Sequence, residues 1–119
     1  MGLLKRFLNT IQEPENGRIP VSKIPKDWDS GFKEGYPLWE KGEKARKSGD
    51  CQKAIDFYDE ARNKGYLAPA LYNSYAMTYR KMKDRESEIE ILEEGISRLK
   101  AAKLNYEKLS EQLKKAKNG

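Results

Sequence analysis

A constant offset of 34 residues runs from residue 35 onward, and it restricts the fold more than any single motif does. When residues 35–68, 69–102 and 103–119 are laid under one another, Leu38, Tyr72 and Tyr106 share a column. Gly42, Ala76 and Ser110 share another, and Ala45, Tyr79 and Leu113 a third. Gly49-Asp50 lies over Lys83-Asp84, Ile55 over Ile89, Tyr58 over Leu92 and Ala61 over Gly95, with no insertion. Within a unit, Tyr72, Tyr75, Ala76 and Tyr79 form one helical stripe, and Ala54, Ile55, Tyr58 and Ala61 form a second. Gly49-Asp50, between the two halves of the first unit, is a helix stop followed by a helix start. Each unit is thus a helical hairpin that cannot cover its own apolar face and must stack on the next. The pattern predicts helices over 36–48, 52–64, 69–82, 86–99 and 103–117.

Composition removes most chemistry. The 119 residues include no histidine, which takes away the usual general base and the commonest metal ligand. Cys51 is the only cysteine, so neither an internal disulfide nor a thiolate cluster can form. No glycine-rich phosphate loop and no nucleophile elbow occurs. A non-enzymatic binding module without a cofactor is the expectation. With 36% charged residues and a mean hydropathy of −0.97, the chain suits thin helical layers with two wet faces rather than one deep core. No apolar run is long enough to span a membrane. With no secretion signal and an unpaired Cys51, the expected location is cytoplasmic.

The repeat units resemble tetratricopeptide repeats. The resemblance rests on G-D-C-Q-K-A-I-D-F-Y-D-E-A at 49–61, A-L-Y-N-S-Y-A-M-T-Y-R-K-M-K-D at 70–84 and Y-E-K-L-S-E-Q-L at 106–113. It covers residues 35–117, about two and a half repeats. It implies an all-α, tetratricopeptide-like superhelix over residues 35–119, closed by a C-terminal capping helix and preceded by an arm at 1–34. It also implies a concave face, lined by the first helix of each unit, that holds an extended protein or peptide partner. By register that face carries Trp39, Glu43, Arg46 and Lys47, then Asn73, Ser74, Met77, Arg80 and Lys81, then Glu107, Glu111 and Lys114. The amide of Asn73 could hold a bound backbone through one donor and one acceptor. Arg80 and Lys81 could pair with an acidic side chain or a carboxylate. Trp39 and Glu43 stand where chaperone-tail-binding members carry Lys and Asn, which sets that subtype aside. Four further departures are Lys41 for Leu, Glu88 for Ala, Cys51 for an aromatic residue and Gly95 for Ala. No proline follows the second helices, so the fourth helix could run on past Lys100.

The arm has two parts. In residues 1–12, Leu3, Leu4, Phe7, Leu8 and Ile11 recur at helical spacing opposite Lys5 and Arg6, an amphipathic helix. Leu4, Phe7, Leu8 and Ile11 would dock in cis, on a partner or on a membrane surface. Residues 13–37 hold Pro14, Pro20, Pro25 and Pro37 with Gly17, Gly31 and Gly35, which predicts extended chain. Trp28 and Phe32 are expected to pack near Tyr36 and Trp39 and to cap the first hairpin, with Asp27 or Asp29 starting a short turn.

Three roles compete: an adaptor for a protein or peptide, a self-association module using the aromatic arm, and a membrane-surface or nucleic-acid-associated protein. The last would use residues 1–12 and the lysine-rich C-terminal helix, residues 100–119 holding six lysines against only Glu107 and Glu111. Nucleic acid is disfavoured, because those lysines lack interleaved arginines and Tyr106 is the only aromatic nearby. Peripheral membrane contact and a homo-oligomer stay open. The stripe itself is testable: Ala76→Arg should abolish cooperative thermal unfolding by forcing a long cation into a close helix contact. A melting curve like that of the parent would show the register to be wrong.

Overall fold

The computed structural model describes residues 16–118, and within them the chain is all-helical. Five α-helices follow a short 3-10 turn at Val21–Lys23: α1 (Trp28–Lys47), α2 (Cys51–Asn63), α3 (Pro69–Lys81), α4 (Arg85–Ala101) and α5 (Glu107–Asn118). Aspartates begin three of them. Asp27, Asp50 and Asp84 each accept a hydrogen bond from the backbone N–H three residues on, at 3.3, 3.1 and 3.1 Å. α3 instead starts with Pro69, which has no N–H to leave unpaired.

One kind of ending closes α1 to α4. The N–H groups of Asp50, Tyr66, Asp84 and Leu104 reach back to the carbonyls of Ala45, Ala61, Tyr79 and Leu99 at 2.8–3.1 Å. This motif needs a left-handed residue just before the donor. Gly49 (φ +91°) and Gly65 (φ +100°) supply it without strain, whereas Lys83 and Lys103 adopt it at φ +61°. The connections are short, so each helix doubles back on the one before it.

The 34-residue spacing holds from α1 to α3 at their C-termini and from α2 to α4 at their N-termini, but not to the last helix. α4 has 17 residues where α2 has 13, one extra turn, because nothing stops it before the left-handed Lys103. α5 therefore begins at Glu107 and not at 103, and buried Leu109 takes the place of buried Leu71, 38 residues on, so that Tyr106 no longer shares the column of Tyr72.

α1 departs further from expectation. It starts eight residues early, at Trp28, and runs through Gly31, Gly35 and Pro37. Those glycines are contacts, not breaks. A Cβ on Gly31 would sit 2.4 Å from the Gly65 carbonyl oxygen, and one on Gly35 2.4 Å from the Tyr66 Cβ. Pro37 cannot donate to the carbonyl of Lys33, and both residues are exposed, where water can replace the lost bond. The capping expectation fails as a result. Trp28 and Phe32 ride on the helix, 50% and 57% exposed, and do not seal the hairpin. Phe32 does stack on Tyr36, ring centroids 5.1 Å apart.

α3 is the central helix, packed against α1, α2, α4 and α5. Tyr72, Tyr75 and Ala76 are fully buried and Tyr79 nearly so, as the stripe predicts. Large and small residues interlock across each hairpin. The ring of Tyr58 on α2 fills the space over Gly42, and Tyr72 on α3 fills that over Gly95 on α4. The misfit Glu88 is also accounted for: it is buried and accepts a bond from Arg80 Nε at 3.0 Å. Among the described residues, no helix is long and apolar enough to cross a membrane.

These contacts reverse ordinary glycine substitution. In an open helix Gly→Ala stabilises by roughly 0.5–1 kcal/mol. At Gly95 the new Cβ would lie 2.6 Å from the Tyr72 ring, so Gly95→Ala should destabilise by about 1–3 kcal/mol through overpacking. Lys83→Gly should do the opposite and stabilise by about 1 kcal/mol by relieving a left-handed side chain. Thermal melts followed by circular dichroism would check both signs.

Candidate functional site

Two faces carry converging polar groups. The first is made by α1, α3 and α5, and it gathers the residues that the register placed together. Trp39 donates from its indole Nε1 to Ser74 Oγ at 3.1 Å. Glu43 accepts from Ser74 (3.0 Å), from the Tyr58 hydroxyl (2.7 Å) and from Arg46 (2.9 Å). Burial works against the ionised Glu43, but Arg46, Tyr58 and Ser74 together hold its carboxyl below the ordinary value. Asn73 receives a bond from Gln112 of α5 at 2.7 Å and turns its amide N–H₂ toward the sulfur of Met77. Arg80 is engaged with Glu88 and Gln112. Glu43, Asn73 and Arg80 therefore tie the helices to one another. Lys81 is exposed and Met77 is 38% exposed. Leu4, Phe7, Leu8 and Ile11 lie outside the described residues.

The second face lies between α2 and α4, and the register did not single it out. Among the described residues, no Cα of α2 comes within 8 Å of one of α4. A doubly bonded ion pair bridges the gap: Arg62 Nε and one terminal nitrogen donate to the two oxygens of Glu94 at 2.7 and 2.8 Å. The Tyr72 hydroxyl donates to the same carboxylate at 2.7 Å and accepts from Arg98 at 2.7 Å. Residues 16–20 of the arm lie in this groove.

One arginine anchors them. Arg18 is buried, and its guanidinium donates to Asp59 Oδ1 (3.2 Å) and to the Tyr79 hydroxyl (2.7 Å) while lying over the rings of Tyr75 and Tyr79. Asp59 also accepts from the Tyr75 hydroxyl at 2.7 Å. On either side of Arg18 the backbone is held by one side chain. Asn63 donates to the carbonyl of Gly17 at 2.7 Å and accepts from the N–H of Ile19 at 3.2 Å. Arg62 adds a bond to the carbonyl of Ile19 at 2.7 Å. The backbone grip that the sequence suggested for Asn73 is thus performed by Asn63, on the opposite face and on the chain's own arm.

The electrostatics of the groove are mixed. Burial lifts the Asp59 carboxyl above its ordinary value, with Tyr75 and Arg18 pulling against it. Burial would also raise Glu94, but Arg62, Tyr72 and Arg98 outweigh it and hold that carboxyl below 4.5. Among the described residues, no buried side-chain nitrogen or oxygen lacks a partner, and no three Cys, Asp or Glu side chains converge as metal ligands would. No family model, no curated protein and no solved structure matches this chain.

The lowered Glu94 sets a sign for pH. Its stabilising contribution is present above the unfolded value of about 4.5 and is lost as pH falls through the lower folded value. Glu94→Gln should therefore reduce stability at pH 7 by about 2–4 kcal/mol, by leaving Arg62 short of its counter-charge. The same variant should lose less further stability than the parent when acidified below pH 4.5. Urea midpoints measured across that range would show both effects.

Proposed function

We propose that the chain is a small, non-catalytic, tetratricopeptide-like adaptor that binds a protein or peptide on the face of α1, α3 and α5. The observation that supports this is a row of apolar groups left open on that face. Phe32 and Met77 are exposed large hydrophobics there, and Tyr36 and Trp39 between them are partly buried. Ring centroids of successive aromatic residues along α1 are 5.1 and 5.5 Å apart, and Tyr66 supports the row from below at 6.0–6.5 Å. Aromatic and methionine side chains held on rigid helices are the usual anchors of protein interfaces. The polar groups around them are satisfied within the fold, so recognition would rest on shape and apolar contact, with Lys81 and Arg80 at the rim. Cys51, unpaired, fits a reducing compartment such as the cytoplasm.

Chemistry gives the adaptor reading further support. With no histidine and one cysteine, the chain lacks the common acid–base and nucleophile pairs. A capture experiment from native lysate would compare the parent with Phe32→Ala/Met77→Ala, both on the surface and expected to leave the melting temperature within a few degrees. A partner retained by the parent and lost by the double variant supports the reading. Recovery of the same proteins by both would refute it. Sedimentation equilibrium on the same pair distinguishes self-association, in which the retained partner is a second copy.

A further inference from the structure

We propose that the groove between α2 and α4 is a peptide site selective for an arginine within an irregular segment, and that residues 16–20 are its resident, exchangeable occupant. This site is separate from the face of α1, α3 and α5 and stands whether or not that face binds a partner.

The walls of the groove are organised without the arm. Arg62 is paired with Glu94, Tyr72 with Glu94 and Arg98, and Tyr75 with Asp59, all by contacts among α2, α3 and α4. If the arm leaves, Arg18 returns to water, while Asp59 keeps its hydrogen bond from Tyr75 and the nearby charge of Arg62. The contacts that remain to be made are those of a peptide receptor. Asp59, the Tyr79 hydroxyl and two aromatic faces define a seat for one guanidinium. Asn63 reads the backbone carbonyl before that arginine and the backbone N–H after it, and Arg62 reads the next carbonyl. Main-chain contacts of this kind are indifferent to the neighbouring side chains, so arginine carries the selectivity.

The occupant fits as a ligand more than as a packed element. It has no helix or strand, Asn16, Gly17 and Pro20 are exposed, and Arg18 is its one buried side chain. A cavity of about 250 Å³ persists between it and α4, lined by Ile19, Pro20, Glu90 and Ile91 among others. Gly17 passes so near Asp59 that a Cβ there would lie 3.2 Å from its carboxylate, which favours a small residue just before the arginine. The chemical class of ligand is therefore a peptide with an arginine, preceded by a small residue and followed by a residue that has a backbone N–H. Held in cis, the arm acts as a plug that an outside peptide must displace.

The test uses the full chain and a fluorescein-labelled peptide of residues 13–24. Arg18→Ala removes the anchor of the resident arm and should leave the groove open. Anisotropy should then show binding to this variant at least tenfold tighter than to the parent, where the tethered arm competes at an effective concentration of about millimolar. The same peptide with alanine for its arginine should bind neither, and Asn63→Ala in the Arg18→Ala background should weaken binding about tenfold. A folded Arg18→Ala chain that ignores the peptide up to about 1 mM would overturn the proposal. If Arg18→Ala does not fold, hydrogen exchange on the parent decides. An Ile19 amide that exchanges by local opening, well ahead of the α3 core, supports an exchangeable arm. An Ile19 amide that exchanges only with global unfolding makes the arm a fixed part of the core and refutes it.

Discussion

The centre of this core is built from tyrosine where leucine would usually serve, and the rest of the structure follows from that choice. A buried tyrosine has two needs: room for a large ring and a partner for its hydroxyl. Glycine meets the first need. Gly42 lies under the ring of Tyr58 and Gly95 under that of Tyr72, each too close to admit a Cβ. Carboxylates meet the second. Tyr58, Tyr72 and Tyr75 donate to Glu43, Glu94 and Asp59, all at 2.7 Å. A carboxylate at such depth needs a counter-charge, and Arg46, Arg62 and Arg18 supply one each. The last of these comes from outside the helices. That is how an irregular arm becomes tied to the middle of a helical stack.

The same chain of dependence explains why the central polar groups of each face are already engaged. On the face of α1, α3 and α5, Glu43 serves Tyr58 and Ser74, and Asn73 serves Gln112. On the other face, Asp59, Asn63 and Arg62 are turned toward the arm. Large apolar groups stay open beside them: Phe32 and Met77 on the first face, Val21 and Trp28 at the end of the arm. The surfaces of this protein are therefore asymmetric in kind, one suited to apolar contact and one to a segment bearing a cation.

Much of the helical layout was legible in the residues, because periodicity is a local property. The Tyr72–Tyr79 stripe, the Gly49-Asp50 break and the hairpin succession all follow from spacing alone. The start of α1 was not legible. Gly31, Gly35 and Pro37 carry the composition of a linker, and only the backbone of Gly65 and Tyr66 against them shows that the glycines serve close approach. A signal was present: Gly31, Gly35 and Gly42 are spaced by four and seven and so share one helix face. The arm's groove was out of reach for a different reason. Asp59, Arg62 and Glu94 have the same composition whether solvated or paired, and the partners they meet across the groove and on the arm lie 32 to 43 positions away. No tool of local pattern separates Asn63, which grips a backbone, from Asn73, which grips another helix.

The tyrosine hydroxyls link core and arm, Tyr79 directly to Arg18 and Tyr75 through Asp59, and one double-mutant cycle measures that link. Tyr79→Phe and Arg18→Ala, separately and together, would be followed by urea unfolding of the full chain. If the Arg18 bond to the Tyr79 hydroxyl helps to hold the arm, the two changes should be coupled by about 1–2 kcal/mol, as for a hydrogen bond to a charged group. Costs that simply add, with no coupling beyond error, would mean that the arm is held independently of the tyrosine it touches and would contradict the account.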